Sequence, residues 1–141
     1  MLFRASILIA REPAAVFEQL ADFASHGSWR EDVVYSRAPR DLRPGSTVLQ
    51  RVSLHGHEAE VALEVTEFDP PRRIAFRASG AAAARGGFRL APEAGGTRVT
   101  ASAFVDLPGS AVLAEERIRE AAEQSVRRSL ARLKERLETE P

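Results

Sequence analysis

The sequence predicts an α+β fold in which a curved antiparallel sheet wraps around a long C-terminal helix. Strand-like segments with apolar residues at every second position follow one another from residue 33 to residue 106, separated by turn-forming residues. A final stretch over 110–138 lacks Gly and Pro and repeats its apolar residues at helical spacing. One apolar sheet face and one apolar helix stripe must then cover each other as the two layers of a domain.

Residues 2–10 are rich in Leu, Ile and Phe and read as the first strand. Pro13 follows where a first helical position has no use for its N–H, so a short helix begins there. Its face is Val16, Phe17 and Leu20, and its regularity fails at Ser25-His26-Gly27-Ser28, just before Trp29. Further strands are expected at 33–37, 46–54, 58–68, 73–78, 86–90 and 97–106. Pro44-Gly45, His55-Gly56-His57, Asp69-Pro70-Pro71, Ser79-Gly80 and Gly95-Gly96 turn the chain between them. Val48, Val52 and Leu54 share one face, as do Ala59, Val61, Leu63 and Val65, then Ile74 and Phe76, Phe88 and Leu90, and Val99, Ala101, Ala103 and Val105. Glu60, Glu64, Thr66, Arg73, Arg77, Arg89 and Arg98 take the other parity, giving one buried and one wet face. After Pro108-Gly109 the helix over 110–138, about 43 Å long, carries the stripe Ile118, Ala122, Val126, Leu130, Leu133 and Leu137.

At 141 residues the chain has the length of one domain, expected to span 1–141. Its 20 basic and 20 acidic side chains cancel, which removes the basic excess that nucleic-acid binding uses. No apolar run approaches the roughly 20 residues of a membrane span, and no signal peptide is legible, so the cytoplasm is the expected location. Without cysteine there is no disulfide, thiol nucleophile or thiolate metal site.

Three segments carry a family resemblance: Pro13-Ala14-Ala15-Val16-Phe17 with Trp29 downstream, Glu67-Phe68-Asp69-Pro70-Pro71-Arg72-Arg73-Ile74, and Gly95-Gly96-Thr97-Arg98-Val99-Thr100 before the last strand and helix. In this order, over nearly the whole chain, they resemble the START-like, polyketide cyclase/dehydrase superfamily, also called helix-grip or SRPBCC. The resemblance implies a seven-stranded sheet gripping the last helix around an elongated cavity, with short helices after the first strand closing one end. It implies less about activity, since the fold hosts lipid carriers, hormone receptors and polyketide aromatases and cyclases.

Small inward residues leave room that large ones would fill. Ala59, Ala78, Ala101 and Ala103 on the sheet and Ala122 on the helix are such positions, and Gly86-Gly87 is expected to bend its strand. Phe76, Phe88, Leu63, Tyr35 and Ile118 are then candidate walls, unless all these residues simply pack as core. Gln50 breaks the apolar parity of its strand and needs a partner, either a ligand oxygen or water, or else solvent at a strand end. Trp29 is read as a lid contact or as an anchor for its loop. The expected ligand-binding set is therefore Trp29, Tyr35, Gln50, Leu63, Phe76, Phe88, Ile118 and Ala122.

No catalytic, cofactor or metal constellation is expected. His55 and His57 at i, i+2 suit a hairpin tip better than a metal site, because such residues in a strand point apart. His26 reads as an exposed loop histidine, or as an acid or base at the cavity entrance. No serine sits in a Gly-x-Ser-x-Gly elbow, and the Gly pairs precede strands rather than helices. The charges of the last helix, acidic in its first half and basic in its second, read as a solvated face aligned with the helix dipole, with Arg117 or Glu120 as the possible exception facing the cavity.

The leading expectation is a binding protein for a small apolar or amphipathic ligand, with a homodimer possible. The alternative is a polyketide aromatase/cyclase/dehydrase-like enzyme using Gln50, Tyr35 or a helix charge. A third reading is a partner-binding module that uses a surface groove.

Overall fold

The computed structural model describes residues 1–54, 57–79 and 83–140. The chain runs through β1 (Leu2–Ile9), α1 (Pro13–Ala21), a 3-10 segment (Phe23–Ser28), β2 (Val33–Arg37), β3 (Thr47–Leu54), β4 (His57–Asp69), β5 (Arg73–Ser79), β6 (Ala84–Glu93), β7 (Gly96–Val105), a second 3-10 segment (Gly109–Ala114) and α2 (Glu115–Thr139). The strands form one seven-stranded sheet in the order β1-β7-β6-β5-β4-β3-β2, with every pairing antiparallel. This is the expected α+β helix-grip arrangement. Residues 55–56 and 80–82, where turns are expected at His55-Gly56 and Gly80, lie outside the described residues.

Two register shifts alter the predicted parity. One between Val65 and Glu67 turns Phe68 inward beside Ile74, where its ring meets Phe17 of α1 edge-on at 5.4 Å. The other lies between Val33 and Tyr35. An extra residue in one strand reverses the faces beyond it, so Val33 is buried whereas Tyr35 falls level with the outward Arg51.

One end of the sheet is closed. Val16, Phe17 and Leu20 of α1, Phe23 of the 3-10 segment and Trp29 are all buried against the sheet's apolar face. The opposite end, where β1 begins and β7 ends, receives the start of α2.

The first half of α2 lifts from the sheet and its second half is embedded. Its buried residues are Ser129, Leu130, Leu133 and Leu137, while Ile118, Ala122 and Val126 are only half-buried. Helical structure also starts later than the sequence suggests. Residues 109–114 form the 3-10 segment without a buried residue, and Val112 and Leu113 are exposed, so no packing rewards continuing the α-helix backwards.

Side chains of α2 bond the free edge of β1. The Arg4 N–H donates to Glu123 (3.1 Å) and the Ala10 N–H to Glu138 (2.9 Å), while Arg119 donates to the Leu2 carbonyl (3.0 Å) and Lys134 to that of Leu8 (2.9 Å). The helix charges expected to be solvated thus cover a strand edge that would otherwise invite another chain. Arg117 and Glu120 are exposed.

Candidate functional site

The lifted half of α2 leaves a cleft of about 190 Å³ between helix and sheet. Its apolar side comes from Phe3, Phe76, Phe88 and Ala101 on the sheet and from Ala122 and Val126 on the helix, with Trp29 toward the closed end. Phe76 and Phe88 stand 6.2 Å apart, centroid to centroid, and Phe23 backs Phe76 edge-on at 6.1 Å. Rings so wedged hold their positions without a guest, because each is packed from behind. A glycine fixes the wall beside them. A Cβ on Gly87 would stand 2.2 Å from the Ile74 carbonyl oxygen, so no side chain fits and the barrier there is one layer of backbone.

The polar side of the cleft is built on the loop before β2. The Arg30 guanidinium forks onto Asp32 (Nε to Oδ1 3.1 Å, Nη2 to Oδ2 2.7 Å) and its Nη1 donates to Gln50 Oε1 at 3.2 Å. Gln50 Nε2 in turn donates to Ser36 Oγ at 3.1 Å. Of the five guanidinium N–H groups these bonds use three, leaving two among the described residues, one on each Nη, for an oxygen in the cleft that Arg30 and Asp32 line. The loop is tied to the helix, since the Glu31 N–H donates to Ser129 Oγ (3.0 Å) and the Glu31 carboxylate accepts two bonds from Arg128 (2.8 and 2.7 Å). The Arg128 bonds hold the Glu31 carboxyl below its ordinary range. A ligand oxygen entering here meets a cation already oriented.

His26 sits behind this cleft. It is wholly buried, stacked on Phe23 with centroids 4.1 Å apart and tilted against Trp29 at 4.9 Å. Burial, helped by the Arg30 charge, lowers its pKa to about 3. The ring is therefore neutral at physiological pH, and its Nε2 donates to the Leu20 carbonyl at 2.8 Å. This overturns the expectation of an exposed histidine or an entrance acid, because the loop folds inward as a 3-10 segment that drives Phe23 and His26 into the core. His26 Nδ1, Trp29 Nε1 and Gln19 Oε1 are buried without a hydrogen-bond partner among the described residues.

The predicted site residues separate into four groups. Trp29, Phe76, Phe88 and Ala122 line the cleft. Gln50 adjoins it: its side chain is buried and satisfied by Arg30 and Ser36 rather than by a ligand or solvent. Leu63 and Ile118 are not part of the lining; Leu63 is core, and half-buried Ile118 stands on the lifted part of the helix. Tyr35 is a correction. The β2 register shift carries it to the outer face, where its hydroxyl bonds Glu60, a contact that raises its pKa. Ala59, expected to line the pocket, is exposed near the start of β4. Sequence reasoning missed Arg30 and Asp32, whose only signal was a charged pair directly after the one tryptophan. Among the described residues no three His, Asp or Glu side chains come together as a metal site, and no helix is long and apolar enough to cross a membrane.

Comparison with known proteins agrees with this architecture. The chain superposes on TTHA0849 from Thermus thermophilus with a TM-score of 0.84 at 20% identity, covering 97% of both chains. On the Zhui aromatase/cyclase from Streptomyces sp. R1128 the TM-score is 0.80 at 16% identity, over 98% of this chain and 93% of that one. Ara h 8.0201 follows at 0.72 and 11%, with 99% of each chain covered. At these identities the likeness shows the fold alone. No curated protein matches the sequence. A family model described as polyketide cyclase / dehydrase and lipid transport matches residues 2–138. With nearly the whole chain inside that match, the protein belongs to the polyketide cyclase/dehydrase and lipid transport family.

Proposed function

We propose that the protein binds a small amphipathic molecule in the cleft between the sheet and α2, with the apolar body against Phe3, Phe76, Phe88, Ala122 and Val126 and a carbonyl or carboxylate oxygen at Arg30. The observation that carries this reading is the split lining, an apolar wall facing a guanidinium with two uncommitted N–H groups. At about 190 Å³ the cleft is smaller than the roughly 300–1,000 Å³ of drug-sized pockets, so it suits a compact guest or the end of a longer one. Of the predicted set, Trp29, Phe76, Phe88 and Ala122 are proposed to touch the guest, and Gln50 to position Arg30. We read 1–141 as one such domain. The absence of cysteine suits a cytoplasmic setting, and exposed Val34 and Leu49 near the β2 edge are where a homodimer would form.

Trp29 is the only tryptophan, so its emission reports on the cleft. Titration with 2-naphthoate should give saturable energy transfer from Trp29. Val126→Phe should abolish it by filling the cleft, and Arg30→Met should weaken it about tenfold or more through loss of charge-assisted bonds. Absence of saturation, or equal transfer in the Val126→Phe variant, would refute the reading.

A catalytic reading has one supporting observation. The two free Arg30 N–H groups would stabilise negative charge developing on a guest carbonyl, as cyclisation or dehydration of a polyketide-like chain requires. His26 offers no help as a proton donor at neutral pH. Turnover of a β-ketothioester surrogate that is lost in Arg30→Met but kept in His26→Leu would support it.

A further inference from the structure

A hollow of about 420 Å³ lies on the sheet's outer face and plays no part in the proposed cleft function. Strand register explains it. Ser102, Gly87 and Ala75 stand side by side on β7, β6 and β5, and their small side chains form a trench floor running across the strands. Two residues along each strand on one side the wall is Phe104, Arg85 and Arg77; on the other side it is Thr100, Arg89 and Arg73. Backbone approach forces the glycine at 87, but no such constraint applies to the flanking Ala75 and Ser102.

The charges of the trench are not evenly compensated. On the β4 side Arg77 pairs with Glu64 at 2.8 Å and Arg73 with Glu67 at 2.9 Å. Arg85 and Arg89 face each other across Gly87 on β6, and Arg4 stands opposite Ser102 on β1. Among the described residues none of these three has a carboxylate within ion-pair distance, and Arg85 is held over the Phe104 ring at 4.9 Å. Two uncompensated guanidiniums, Arg85 and Arg89, therefore line the hollow on either side of the Gly87–Ser102 floor, with Arg4 on the strand beyond.

We propose that this trench is a second binding site, for a small phosphorylated molecule whose phosphate sits at Ser102 between Arg85 and Arg89. Guanidinium forks match phosphate oxygens in geometry. A dianion answers opposed cations better than a monocarboxylate, which would leave at least one uncompensated. The phosphate could also belong to a lipid headgroup, but the recess and its rim of Glu64 and Glu67 carboxylates favour a free ligand over a flat anionic membrane.

Inorganic pyrophosphate is the probe, titrated at constant chloride and followed through amide resonances. Saturable shifts are expected at residues 85–89 and 102–104. The Arg85→Gln/Arg89→Gln variant, both of whose sites are exposed, should retain its circular dichroism and bind about tenfold more weakly or worse. In the same assay Val126→Phe, which fills the cleft, should bind pyrophosphate like wild type, which separates this site from the cleft. No saturable shift at millimolar pyrophosphate, or equal affinity in the double variant, would overturn the proposal. With vesicles containing phosphatidic acid the protein should stay in the supernatant; co-sedimentation that the double variant abolishes would overturn assignment to a free phosphate.

Discussion

His26 is the residue whose protonation matters most to the fold. Burial lowers its folded pKa to about 3, whereas in the unfolded chain it titrates near 6.5. Between those values the unfolded state takes up a proton that the folded state refuses, so stability is full above pH 6.5 and is lost as the pH falls toward 3. The loss approaches about 1.4 kcal/mol per pH unit. Urea unfolding at pH 7, 6, 5 and 4 should show this slope in wild type and a shallower one in His26→Leu, the difference isolating His26 from the carboxylates. Gln50 gives a second expectation. Gln50→Leu leaves Arg30 Nη1 and Ser36 Oγ without their partner and should cost about 1–3 kcal/mol in chemical denaturation. Its inward position was legible because one polar residue broke an apolar parity. Its partners were not, since Arg30 lies twenty residues away on a loop with no periodicity. Tyr35 was misplaced for a similar reason: a bulge is decided by cross-strand pairing and leaves no mark in the strand's own residues.

The two halves of α2 behave as different elements. Leu133 is fully buried, so Leu133→Ala should cost about 2–5 kcal/mol in thermal or urea unfolding. Ala122→Leu adds volume where the helix stands off the sheet. It should cost little stability while blocking naphthoate, a dissociation of effects that a uniformly packed helix would not show. The stripe from Ile118 to Leu137 was readable from spacing, and so was the sheet's parity, because both periods are imposed by backbone geometry. Where the helix lifts was not readable. That depends on the loop of Glu31, which bonds Ser129 and Arg128 on the embedded side of the cleft. The edge-covering role of Arg119, Glu123, Lys134 and Glu138 escaped for a related reason: their spacing on the helix is as compatible with solvent as with a neighbouring strand.

For the molecule as a whole, two close backbone approaches at the middle of the sheet fall at one dipeptide. A Cβ on Gly86 would lie 2.5 Å from the Ser102 carbonyl oxygen, and the corresponding contact of Gly87 with Ile74 is closer still. Gly87→Ala should therefore cost about 3 kcal/mol or more, visible as a lowered melting temperature, and should disturb the cleft and the outer trench together because both share that wall. The pairing of β1 with β7 carries a consequence of another kind. The Met1 ammonium bonds the Val105 carbonyl across 104 residues of chain, and the whole of β1 is matched to the last strand of the sheet. Contacts of such separation slow folding, so stopped-flow refolding in milliseconds to seconds is expected. During synthesis at roughly 5–20 residues per second the first strand must wait on the order of ten seconds for β7, its partner in the sheet. Phe3, Ala5, Ile7 and Ile9 have no sheet to face in that interval. Arg4, set among them, is then the charge that keeps a nascent apolar segment from pairing with its neighbours on the polysome.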